Sequence, residues 1–91
     1  MSAARIERIR ARLQSALSPE ALEIRDDSAA HAGHPGARQG GHFTVLIVSE
    51  SFRGQRTRER HRVVYQALGE LLTTDIHALS IRALSPEEEL G

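Results

Sequence analysis

HFTVLIVS, residues 42–49, is apolar on both of its alternating faces. A run of that kind is the mark of a strand covered on both sides, which places it in the middle of a sheet. Working upstream, ALEIRDD, residues 21–27, sets Leu22 and Ile24 against Glu23 and Arg25. That period of two reads as a half-buried strand. Both runs are short and adjacent, so the two strands are expected to pair antiparallel. Between them, residues 28–41 (SAAHAGHPGARQGG) hold four glycines, a proline and two histidines with no large apolar side chain. A loop of this length in a small domain is a functional candidate.

Further upstream, Ile6, Ile9, Leu13 and Leu17 fall three or four apart and predict an amphipathic helix over residues 2–17. Ser18-Pro19 ends it, because the residue before proline is pushed out of the α region. Downstream, Val64, Leu68, Leu71 and Leu72 predict a second helix from about Arg58 to Leu72, weakened at Gly69 by about 1 kcal/mol relative to alanine. DIHALSIRAL, residues 75–84, alternates again, with His77, Leu79, Ile81 and Ala83 on one face; it reads as a strand parallel to the central one, because a helix intervenes. This spacing places His77 partly buried at the end of the sheet. Ser85-Pro86-Glu87-Glu88-Glu89 then starts a last helix, with a cap, a proline and acids on the positive end of the dipole. The fold class is α+β, a three-stranded sheet with helices on one face, in a single domain spanning 1–91.

The chain is 91 residues long, 40% hydrophobic and 26% charged, with aromatics at 3%, so its core must be aliphatic. Formal net charge is zero, from twelve arginines, no lysine and twelve acids. Nucleic-acid binding would therefore rest on local asymmetry. Residues 53–62 supply it: Arg53, Arg56, Arg58, Arg60 and Arg62, with His61, face one acid, Glu59, for a local charge of +4. Positive charge at the start of a helix opposes the dipole, so helix stability does not explain it. A partner protein is favoured as its target and DNA is the alternative, since the turn FRGQ offers one glycine, Gly54, where an RNA-clamping GXXG loop needs two.

There is no cysteine, which excludes disulfides, thiolate nucleophiles and cysteine-based zinc sites. No G-x-S-x-G elbow or phosphate-cradling glycine loop occurs, so no enzyme is expected. The arginine-rich start contains Glu7 and helical periodicity and reads as part of the fold; no run is long enough to span a membrane. A cytoplasmic location is the expectation. Of the five histidines, His31 and His34 share the central loop, His42 opens the central strand, His61 lies among the arginines and His77 begins the last strand.

HFTVLIVSESFRG, RERHRVVYQAL and IHALSIRALSPEE, in that order and with short gaps, resemble the BolA family over nearly the whole chain. The resemblance implies the order α-β-β-α-α-β-α, similar to the class II K-homology fold. It also implies a non-enzymatic partner of a monothiol glutaredoxin, sharing a bridging [2Fe–2S] cluster in iron–sulfur trafficking or iron-dependent regulation. The implied metal ligands are His77 and, from the central loop, His31, with His34 as the alternate. Imidazole replaces thiolate on one iron in known clusters; the thiolates would come from the glutaredoxin and its bound glutathione. Alone, the chain would be a monomer holding no cluster. Some members of the family are DNA-binding transcriptional regulators, which keeps DNA as the alternative for residues 53–62.

Overall fold

The computed structural model describes residues 2–27 and 41–90. The chain begins with helix α1 (Ser2–Leu17), then strands β1 (Ala21–Asp26) and β2 (Gly41–Val48). A 3-10 turn (Glu50–Phe52) leads into helices α2 (Thr57–Leu68) and α3 (Leu71–Thr74), strand β3 (Ile76–Leu84) and helix α4 (Pro86–Leu90). The sheet order is β1-β2-β3, with β1 antiparallel and β3 parallel to β2. The apolar run thus lies in the centre, and the α+β architecture follows the alternation of periods two and 3.6 in the sequence.

The core forms where one face of the sheet meets the helices. Ile9, Leu13 and Leu17 of α1 pack with Phe43, Val45 and Ile47 of β2, Phe52 of the 3-10 turn, and Val64 and Leu68 of α2. Leu22 and Ile24 of β1 and Leu79, Ile81 and Ala83 of β3 border this cluster. On the opposite face, His42, Thr44 and Leu46 remain partly accessible, so that face is open. Buried Ser49 joins the ends of two elements: its hydroxyl donates to the Leu17 carbonyl at 2.8 Å and accepts from Ser51 N–H at 3.1 Å. One of the orphan carbonyls at the end of α1 is satisfied in this way.

The single helix expected from Arg58 to Leu72 is two helices. Gly69 has φ +55° and ψ −126°, a backbone that ends α2 and that side chains resist, and α3 starts afresh at Leu71. The second of the two adjacent helices in the implied order α-β-β-α-α-β-α is thus α3, after the break, while Glu50–Phe52 adds the 3-10 turn before α2. No helix among the described residues is long and apolar enough to cross a membrane.

Candidate functional site

His77 stands where α3 hands the chain to β3. Asp75 fixes that junction from three directions. Its N–H donates to the Leu71 carbonyl at 2.9 Å, its carbonyl accepts from Gly41 N–H at 3.0 Å, and its carboxylate takes Arg8 Nε of α1 at 2.5 Å. Burial pushes the Asp75 carboxyl up, but the hydrogen bonds from Arg8 and Thr74 and the charges of Arg8 and Arg5 together hold the group below the usual range.

The expectation of a partly buried His77 is corrected here. Gly41 pairs with Ile76 but His42 pairs with Ala78, so His77 is an extra residue in β3, a bulge. The bulge reverses the alternation: Ile76 and Leu79 both contribute to the core, and His77 is exposed. Its imidazole is therefore offered to solvent from a strand whose backbone is tied to β2, α1 and α3.

The same end of the sheet receives both ends of the central loop. Asp27 N–H donates to the His42 carbonyl at 2.7 Å, and His42 pairs with Ala78. Asp27 is held in turn by the Thr44 hydroxyl and by Arg25 at 2.8 Å, and these two hydrogen bonds lower its carboxyl. Residues 28–40 thus depart beside Asp27 and return at Gly41, next to Ile76. His31 and His34 lie outside the described residues. Among the described residues no three metal-binding side chains converge.

The arginine stretch divides into two sets. Arg60 is 9% exposed and points inward: Nε donates to Gln55 O at 2.8 Å, Nη1 to Ala83 O at 2.9 Å, and Nη1 and Nη2 grip Glu88. Its inclusion in a binding set is corrected, because its donors tie α2 to β3 and α4. Arg53 holds both Glu50 oxygens, at 2.9 and 2.7 Å, and also pairs with Glu87. Those bonds raise Arg53 and lower Glu50. Arg56, Arg58 and Arg62 are exposed, and their guanidinium groups pair with no carboxylate among the described residues, although Arg56 N–H donates to Glu59 Oε1 at 2.8 Å. Around them lie half-buried His61 and Tyr65, the latter 42% exposed. Arg58, His61, Arg62 and Tyr65 line one shallow depression of α2.

Three contributors escaped the sequence reading: Arg8 and Asp75, which position the start of β3, and Glu88, which neutralises Arg60. The Arg60 role had a signal. Arg60, Val64 and Leu68 are spaced by four, so the arginine lies on the core-facing stripe of its helix. The other two are joined across 67 residues, and no local pattern announces them.

The chain as a whole is similar to known proteins. A family model described as BolA-like protein matches residues 13–88. BolA-like protein 1 of Mus musculus is 46% identical over 80 residues, covering 88% of this chain and 57% of that protein. The chain thus spans somewhat over half the length of that relative. The DNA-binding transcriptional regulator BolA of Escherichia coli (strain K12) is 39% identical over 85 residues, covering 93% of this chain and 79% of its own length. The solved structure of BolA1 from Arabidopsis thaliana superposes with a TM-score of 0.79 at 44% identity, covering 92% of this chain and 94% of that one. With the family match extending from α1 into α4, the chain belongs to the BolA-like protein family.

Proposed function

We propose that this chain is a non-enzymatic, cytoplasmic adaptor that binds a monothiol glutaredoxin and co-ligates a bridging [2Fe–2S] cluster, with His77 as its principal ligand. The observation that carries the reading is the exposed imidazole of His77 on a bulge, at the sheet end where the His31/His34 segment departs and returns. The donor set fits the group in part. Histidine ligates iron in [2Fe–2S] centres and shifts their potential upward. A chain without cysteine lacks the thiolates, so glutaredoxin and glutathione supply them. His31 is the second ligand in this reading, and His34 its alternate. The cluster supplies one-electron chemistry or is itself the cargo; the chain's own residues hold and orient one side of it.

The test is anaerobic reconstitution with a monothiol glutaredoxin, glutathione, iron and sulfide, followed by visible absorption and circular dichroism. The wild-type pair should give a spectrum distinct from that of glutaredoxin alone, and His77→Ala should not. Identical spectra from the two proteins would remove the assignment. Calorimetry of the cluster-free pair separates partner binding from ligation.

A second reading, a DNA-binding regulator, is favoured by one observation: Arg56, just before α2, and Arg58 and Arg62 on it are exposed, and their guanidinium groups pair with no carboxylate among the described residues. The Escherichia coli relative, a DNA-binding transcriptional regulator, gives it a precedent. Tight, sequence-selective binding of duplex DNA at physiological salt by the cluster-free protein would make this the better reading.

A further inference from the structure

A second surface owes nothing to the histidines. β3 is an edge strand, with β2 its one strand neighbour among the described residues. The Leu84 carbonyl accepts from Ser49 N–H at 3.0 Å and so points toward β2. Ala83, one residue earlier, turns its carbonyl the other way, where Arg60 meets it at 2.9 Å. Backbone groups alternate sides along a strand, so the N–H and C=O of Leu79 and Ile81 share this outward direction. Unpaired edges are templates for another chain unless they are guarded. Here the bulge at His77 guards one end and Arg60 the other, which leaves the middle available.

Beside that middle runs a cleft of about 420 Å³, with Thr57 and His61 of α2 facing Ile81, Ala83 and Leu84. Its one acid, Glu88, is already held by Arg60. Arg82 lines the cleft, and Arg58 and Arg62 line the neighbouring depression that shares Thr57 and His61 with it; all three are exposed and without carboxylate partners among the described residues. Ile81, Ala83 and Leu84 give the cleft an apolar side along β3, and the exposed charges around it are positive.

We propose that the β3 edge between Leu79 and Ala83 accepts a short, extended, acidic segment of a partner protein, added as a fourth strand. In this mode main-chain hydrogen bonds provide the hold and alternate side chains provide the selectivity. Charge selects the occupant. A second copy of the chain would bring Arg82 and the α2 arginines against their own kind, and like charges across a strand pair repel. Nucleic acid has no row of amide donors and acceptors at strand spacing.

The probe is a blocked ten-residue peptide alternating valine and glutamate, titrated into isotope-labelled full-length protein. The Leu79 and Ile81 amides should exchange readily in the free protein and become protected as the peptide binds. Combining Arg58→Gln, Arg62→Gln and Arg82→Gln should weaken binding about tenfold, as loss of three exposed charge pairs implies. A valine–lysine peptide should give no protection. The proposal is overturned if the acidic peptide leaves these amides unprotected at millimolar concentration, or if the lysine peptide protects them equally. It also fails if they are already protected in the free protein, whether by the chain itself or, with concentration dependence, by a second copy. Protection by a short DNA duplex at the same amides would likewise overturn it.

Discussion

Arg60 and Glu88 bridge α2 and α4 through two parallel contacts, Nη1 to Oε1 at 2.5 Å and Nη2 to Oε2 at 3.1 Å. Ser85 N–H adds a third bond to the same carboxylate at 2.9 Å. A forked guanidinium–carboxylate pair is stronger and more directional than a single contact. The bridge is part of the fold, in a stretch whose composition suggests a surface for partners.

The first expected consequence is acid sensitivity. The Arg60 hydrogen bond, helped by Ser85 N–H, lowers the Glu88 carboxyl from 4.5 to about 2. The unfolded chain then binds more protons than the folded one between those values, so stability rises with pH across that window. The contribution is complete above 4.5 and disappears as pH falls through about 2. Glu88→Gln should flatten the pH dependence of urea unfolding there. Asp27, Glu50 and Asp75 are also lowered, so some slope should persist. An unchanged slope in the variant would refute the role given to Glu88.

Substitutions in the arginine stretch should separate by direction. Arg60→Met removes three inward partnerships and should cost roughly 1–3 kcal/mol in chemical denaturation. Arg58→Gln and Arg62→Gln should stay within about 0.5 kcal/mol, as exposed positions usually do. Equal costs at all three positions would contradict the division.

His77→Ala should leave stability within about 0.5 kcal/mol, because the side chain is exposed, while abolishing or greatly destabilising the mixed cluster. His31→Ala should act more mildly, with His34 available in the same loop. Cluster lifetime, read from visible absorbance, ranks the three. If His34→Ala proves more damaging than His31→Ala, the second ligand is His34.

Gly69→Ala should be destabilising by roughly 1–3 kcal/mol, the usual cost of an unfavourable backbone region. The added Cβ would also sit 3.2 Å from Arg12 Nη1, which donates to the Leu68 carbonyl at 3.0 Å. Thermal unfolding measures the loss, and an undiminished midpoint would mean the α2–α3 break relaxes without penalty.

For DNA, three uncompensated arginines limit the phosphate contacts of α2. Each contact contributes about −0.9 to the slope of log affinity against log salt, so Arg56, Arg58 and Arg62 together give a slope no steeper than about −2.7. Replacing Arg58 and Arg62 by glutamine should flatten it while still permitting assembly with glutaredoxin. A much steeper slope in a filter-binding series would show that other residues join the contact.

The strands and α1 were legible because their patterns are local and strong. Ile9, Leu13 and Leu17 recur at helical spacing and are buried; HFTVLIVS is apolar on both faces and is central. The break at Gly69 was harder, because a glycine inside a periodic run is equally compatible with a weak helix and with two helices. Its positive φ belongs to the packed chain. The exposure of His77 was hidden for a sharper reason. One inserted residue separates His77 from the face that Leu79, Ile81 and Ala83 keep, and nothing in IHALSI shows where the insertion lies. For the arginines, composition gave the charge, but whether each charge is free depends on Glu50, Glu87 and Glu88, two of them on the last helix. Asp75 likewise depends on Arg8, at the far end of the chain.

The placement of those last glutamates makes α4 an electrostatic mask. Cleavage after Ser85 would remove Glu87, Glu88 and Glu89 together and raise the formal net charge from zero to +3. Arg60 would lose its carboxylate and Arg53 would keep only Glu50. A trimmed chain would then display a more basic α2 to any polyanion it met, and apparent DNA affinity would track the integrity of the last few residues. Preparations that differ only in clipping after Ser85 would disagree about nucleic-acid binding while sharing the sheet and α1 to α3.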